Sequence, residues 1–137
     1  MDLSQSDVLI TGGAGLIGSH LARALLARGA TVTVADDLSK GDRDRVPSDA
    51  TFVQADLTDP DDVARALTAE IGVVFHLAAY TDTNYDDDRT LFEENTEMTY
   101  NLLERMRSVG VSKVAFTSSS TVYGEAPRPT PAAFAPL

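Results

Sequence analysis

The sequence predicts one α/β domain in three layers. Its core would be a parallel five-stranded sheet in the order 3-2-1-4-5, with right-handed crossovers and helices on both faces. Three observations carry this. Apolar, largely β-branched runs recur at residues 8–10, 31–35, 51–55, 72–79 and 111–117. Segments with helical spacing or capping signals follow the first, third and fourth of them. Glycines at three-residue spacing (Gly12, Gly15, Gly18) stand between the first strand and the first helix. A chain of 137 residues supplies one sizeable core and no more than one domain.

Taken in order, residues 8–10 read as a buried strand. Ile17, Leu21, Ala24, Leu25 and Arg28 recur at helical period and mark the first helix, with Gly29 placed as its C-terminal glycine. Residues 31–35 form the second strand, ending in Asp36-Asp37. Residues 42–50 are polar, hold Pro47 and read as a loop before the third strand at 51–55. Asp59 caps the next helix, with Pro60 at its first position and Asp61 and Asp62 at the positive end of the dipole. Val63, Ala64, Ala66 and Leu67 face inward there. Residues 72–79 are the fourth strand running into a small-residue turn, and 81–89 form an acidic loop. A helix over about 90–108 sets Phe92, Asn95, Thr99, Leu102, Leu103 and Met106 on one face, with Gly110 after it. Residues 111–117 are the fifth strand. Pro127, Pro129, Pro131 and Pro136 make 126–137 an irregular tail and leave 1–125 as the domain.

Strand, glycine turn and helix in succession are the context of a dinucleotide-binding fingerprint. Gly12 supplies a tight turn, Gly15 lets backbone approach a pyrophosphate, and Gly18 lets the helix press on the strand. The helix N-terminus then offers free N–H groups and partial positive charge to phosphates. A glycine-rich loop without a ligand is the alternative. Asp36 weighs against it: it lies 24 residues after Gly12, at the tip of the second strand. A carboxylate there accepts hydrogen bonds from both hydroxyls of an adenosine ribose and repels a 2′-phosphate, which favours NAD over NADP. Lys40, Arg43 and Arg45 are the counterweight, since a nearby cation could serve a phosphate; the acid lies nearer the strand end. His76, ending a buried strand, reads as satisfied by backbone groups rather than as a catalytic base.

The G-x-x-G-x-x-G spacing of Thr11-Gly12-Gly13-Ala14-Gly15-Leu16-Ile17-Gly18 resembles the extended short-chain dehydrogenases/reductases. Four further stretches resemble their NAD-dependent epimerase/dehydratase family. They are Asp36-Asp37-Leu38-Ser39-Lys40-Gly41, His76-Leu77-Ala78-Ala79, the helix carrying Asn95, Thr99 and Asn101, and Ser118 through Val122-Tyr123-Gly124. The resemblance implies that Gly12, Gly15, Leu16, Ile17 and Gly18 hold the NAD pyrophosphate. It also implies that Asp36, Asp37, Leu38 and Ser39 wrap the adenosine, that Asp56 and Leu57 meet the adenine edge, and that Leu77, Ala78, Ala79 and Asn95 flank the cofactor. Ser119 takes the family's catalytic Ser/Thr position, orienting the substrate oxygen during hydride transfer from a nucleotide sugar. Two departures are visible. Met98 replaces the family's helix glycine, so packing there must differ, and the 81–89 loop is more acidic than the family's.

In this family the base is the tyrosine of a Tyr-x-x-x-Lys pair beyond the serine, its pKa lowered by the nearby lysine. Four residues after Tyr80, Tyr85, Tyr100 and Tyr123 come Asn84, Arg89, Glu104 and Pro127, so none of the four carries the lysine. The resemblance therefore implies the N-terminal, NAD-binding part of an epimerase/dehydratase, truncated before the catalytic helix. The alternatives are an NAD-binding module without turnover and an NAD(P)-dependent reductase of the same superfamily.

Composition narrows the classes further. Net charge is −10, from 21 acidic against 11 basic residues. That argues against nucleic-acid binding through a basic patch and points to adaptation to high salt. With no cysteine, disulfides and thiolate metal sites are excluded, and no metal is expected. No apolar run approaches the ~20 residues that span a bilayer, and no basic segment precedes an apolar one at the N-terminus. The expectation is a cytoplasmic protein with no membrane partner. The fifth strand would present a bare parallel edge, so a homo-oligomer is expected.

Overall fold

The computed structural model describes residues 3–81, 88–119, 123, 130 and 131. Most of the acidic loop with Tyr85, Ser120, and most of the proline-rich tail lie outside the described residues. The elements run β1 (Asp7–Thr11), α1 (Leu16–Leu26), β2 (Thr31–Asp36), a 3₁₀ turn (Arg43–Arg45), β3 (Thr51–Gln54), α2 (Pro60–Ala66), β4 (Val73–His76), α3 (Asp88–Val109) and β5 (Val114–Phe116). The sheet order is β3-β2-β1-β4-β5, and every pairing is parallel. The predicted three-layer architecture is the observed one.

Side chains alternate across the central strands. Val8, Ile10, Val32, Val34 and Val73 pack under α1 with Ala22 and Leu25. Leu9 and Val74 face the other way, onto Val63 and Leu67 after α2 and Met98, Leu102 and Met106 of α3. Asp59 caps α2 as expected, its side chain accepting from the Asp61 amide, with Pro60 at the first position. Gly29 follows α1 with φ +86°.

Two helix faces differ from expectation. The buried stripe of α1 is Gly18, Ser19, Ala22 and Leu25, while Ile17 is 70% exposed. Both series satisfy helical spacing. The small residues win because they let α1 lie close against the glycine turn, which rotates Leu16, Ile17, His20, Leu21 and Ala24 into an open apolar groove. On α3, Phe92 and Leu103 stand outside, and Met98 joins the buried row with Leu102 and Met106. Met98 is thus a core residue.

Among the described residues β5 pairs with β4 alone, and all three of its residues are exposed, Phe116 among them. Among the described residues, no helix is long and apolar enough to cross a membrane.

Candidate functional site

The chain leaves β1 toward β2 on one side and returns to β4 on the other. The crevice at the carboxyl ends of β1 and β4 is therefore the switch point where ligands of such sheets sit. The glycine turn occupies it. Gly12 has φ +67°, and its amide donates to the Ala35 carbonyl at 2.8 Å, tying the turn to β2. A Cβ on Gly12 would lie 2.8 Å from the Ala78 nitrogen, and one on Gly18 would overlap the Gly12 carbonyl oxygen and sit 2.6 Å from the Gly13 Cα. Neither position admits a side chain.

Gly15 is the N-cap of α1. It provides no side-chain cap, and no acid lies in the first turn. The amides of Leu16, Ile17 and Gly18 have no intrahelical acceptor, and no acid within α1 offsets the positive end of its dipole. Helix α2 shows the contrast, since Asp59 caps it and Asp61 and Asp62 stand in its first turn. Leu16 and Ile17 are 67% and 70% exposed through their side chains, so what they bring to the turn is backbone N–H.

Asp36 sits beside this turn, 8% exposed. Its Oδ2 accepts from the Ala14 amide and its Oδ1 from the Leu38 amide, each at 2.9 Å. The following loop folds back on the glycine turn, where the Asp42 amide donates to the Ala14 carbonyl at 3.1 Å. Leu38 adopts φ +65°, and Asp37 Oδ1 accepts from the amide and hydroxyl of Ser39. Of the cations that could have served a phosphate, Arg43 lies over the Phe52 ring at 4.5 Å, and Arg23 Nη2 donates to the backbone carbonyl of Arg45.

The other candidates divide. Asp56 Oδ1 accepts from the amide and hydroxyl of Thr58 at the end of β3, an exposed position. Leu57 is only 4% exposed and its side chain belongs to the core, so it offers backbone alone to that edge. Asn101 Nδ2 fixes that backbone by donating to the carbonyls of Leu57 and Thr58. Asn95 is fully engaged: Oδ1 accepts from the Tyr80 amide, and Nδ2 donates to the carbonyls of Tyr80 and Leu91. It thereby grips the turn that carries Leu77, Ala78 and Ala79. Ser119 lies three residues beyond β5 on the same edge of the sheet, exposed.

The chain's two most informative polar contacts were not legible as site features. Thr11 ends β1, and its hydroxyl oxygen accepts from the amides of Leu77 and Ala78, both at 3.2 Å. It clamps the turn after β4 against the glycine turn; a polar residue closing an apolar strand was the available signal. His76 is 2% exposed and bonded not to backbone, as expected, but to the hydroxyls of Thr11 (2.7 Å) and Thr99 (3.3 Å). Burial lowers its pKa from 6.5 to about 4, so the imidazole is neutral at physiological pH. Among the described residues no cluster could hold a metal ion.

A parallel sheet of this order, with a side-chain-free turn and an uncapped helix N-terminus at its switch point, defines a Rossmann-type domain. A model of the NAD dependent epimerase/dehydratase family matches residues 8–136, and the chain belongs to that family. A UDP-glucose 4-epimerase of Erwinia amylovora is 38% identical over an alignment of 133 residues that covers 89% of this chain and 40% of that protein. The chain therefore spans about 40% of the length of that curated relative. The crystal structure of the Thermus thermophilus UDP-glucose 4-epimerase complexed with NAD superposes with a TM-score of 0.87 at 39% identity, covering 96% of this chain and 44% of that one. The Stenotrophomonas maltophila enzyme, solved with NAD and formylated UDP-arabinopyranose, gives a TM-score of 0.84 at 31% identity, covering 96% and 43%.

Proposed function

We propose that this chain is the NAD-binding portion of a nucleotide-sugar epimerase or dehydratase. The carrying observation is the uncapped N-terminus of α1 at the switch point, bordered by two glycines at which a Cβ finds no room. The amides of Leu16, Ile17 and Gly18 take the pyrophosphate, and the Asp36 carboxylate takes the adenosine ribose, with Asp37, Leu38 and Ser39 shaping the loop over it. Asp56 and the Leu57 backbone meet the adenine edge, and Leu77, Ala78 and Ala79 wall the nicotinamide side. Asn95 acts through the Tyr80 backbone. That solved relatives carry NAD and a UDP-sugar supports the reading. When bound, NAD supplies a reversible hydride acceptor for a sugar carbon, and the Ser119 hydroxyl orients the oxygen on that carbon.

The test is a titration with NAD and with NADP, followed by thermal shift. NAD is expected to bind at least about tenfold more tightly, and Asp36→Ala to bring the two within about threefold while the circular dichroism spectrum stays native. Equal affinities in the unsubstituted chain overturn the role given to Asp36.

We further propose that these 137 residues hold the cofactor without turning over, because no tyrosine here has a lysine four positions on. Incubation with NAD and UDP-glucose is expected to leave the sugar unchanged while NAD stays bound; epimerised product would refute this. Two surface proposals stand beside it. The β5 edge, with Phe116 60% and Val114 44% exposed, is where copies associate. The excess of 21 acids over 11 bases marks a protein that folds best in salt. The ion pairs Arg65–Asp62, Arg89–Glu93 and Arg107–Glu104 lie at the surface, where such pairs add little to stability. Raising KCl toward about 2 M is expected to lift the melting temperature by several degrees as screening grows; a melting temperature independent of salt contradicts it.

A further inference from the structure

We propose that His76 is a positioning residue that transmits the seating of helix α3 to the two backbone amides walling the glycine turn. The directions of five connected hydrogen bonds carry the inference. The Thr11 hydroxyl oxygen already accepts from the amides of Leu77 and Ala78, so its single proton goes to His76 Nδ1, 2.7 Å away. Nδ1 is thus the acceptor of the ring, and Nε2 carries the proton and donates it to Thr99 Oγ1 at 3.3 Å. Thr99 in turn donates to the Asn95 carbonyl at 2.9 Å. Every donor in the line points from the sheet into α3, and reversing any one of them leaves a buried hydroxyl or ring nitrogen unsatisfied.

The ring is held so that it passes displacement rather than absorbing it. It packs against the Phe116 ring at 5.6 Å between centroids with the planes tilted by 38°, and its own carbonyl accepts from the amide and hydroxyl of Thr117. Among the described residues, the groups bonded to it or packed on its ring are Thr11 from β1, Phe116 and Thr117 from β5 and its end, and Thr99 from α3, none of them ionisable. Burial lowers its pKa to about 4, so the ring is neutral at pH 7. At the far end, the Ala78 nitrogen is 2.8 Å from where a Gly12 Cβ would stand. A shift of α3 that moves Thr99 therefore moves the wall of the turn. Only the consequence for cofactor affinity rests on the NAD-binding reading; the coupling itself does not.

Two measurements on the full chain test it without any ligand. With only His20 and His76 present, ¹⁵N spectra of the imidazoles at neutral pH are expected to show His76 protonated on Nε2; protonation on Nδ1 overturns the proposal. Amide hydrogen exchange is then followed at Leu77 and Ala78. Thr99→Val is expected to speed it about tenfold, Thr99→Ser to leave it near the original rate, and Thr99→Val to add nothing in a His76→Asn background. His76→Asn keeps an acceptor for Thr11 but has no reach to α3. Equal acceleration in both backgrounds, no acceleration in either, or a serine variant as fast as the valine one overturns the coupling. Should His76→Asn fail to melt cooperatively, the Thr99 serine and valine pair decides alone. An NAD titration runs alongside: expected exchange behaviour with no NAD binding sinks the nucleotide reading and leaves the coupling standing.

Discussion

Gly18→Ala is expected to weaken NAD binding by about a hundredfold while leaving most of the chain folded. The added Cβ would overlap the Gly12 carbonyl oxygen and press on the Gly13 Cα, and both are backbone atoms that cannot swing aside. Overpacking of this kind costs about 1–3 kcal/mol, which a domain with about 5–15 kcal/mol of stability survives. The strain is relieved by backing the first turn of α1 away from the glycine turn, and that displacement removes the amides of Leu16, Ile17 and Gly18 from the phosphates. Gly29→Ala is the control. Gly29 has φ +86°, yet nothing lies within 4 Å of its Cβ position. That change should cost about 1–2 kcal/mol of stability and leave NAD affinity unaltered. Urea titrations and cofactor binding on both variants separate stability from cradle geometry. Undiminished affinity in Gly18→Ala would show that the turn is not the anion site.

The second large effect is on stability against pH. His76 titrates near 6.5 when unfolded and near 4 when folded, because burial opposes the charged ring. Between those values the unfolded chain binds more protons, so stability falls as pH falls. The contribution is complete above 6.5 and is lost on descending to about 4, amounting to about 3 kcal/mol at 1.36 kcal/mol per pH unit. Carboxylates also titrate in this window. The measurement is therefore a difference: urea unfolding from pH 7 to 4 for the chain and for His76→Gln, which has no imidazole to titrate. The unsubstituted chain should lose about 3 kcal/mol more than the variant. Parallel curves would mean that His76 is not held neutral by burial.

Much of this architecture was legible before any coordinates. Strand runs, the glycine spacing, Asp59-Pro60 and Gly29 each have one local meaning, and each appears where it was placed. The helix faces were less legible. On α1, residues 17, 21 and 24 and residues 18, 22 and 25 satisfy the same period, and only the demand for close approach at Gly18 selects the second. On α3, Phe92 and Leu103 share spacing with the buried row without sharing its partner. The candidate site was readable where a motif fixes backbone, at Gly12, Gly15, Gly18 and Asp36. It was not readable where the contact is between residues far apart in sequence. Thr11, His76 and Thr99 are joined across 65 and 23 residues, and no local pattern encodes that meeting.

The anchoring of Asp36 by two amides, under a loop already folded back onto Ala14, has a consequence for how long a dinucleotide stays. A pocket whose acidic wall is set before arrival gives up little binding free energy to its own ordering, and that saving appears mainly as slow departure. On the proposed NAD-binding reading, the chain is expected to retain bound dinucleotide through gel filtration, and rapid loss of it there would count against a preset wall.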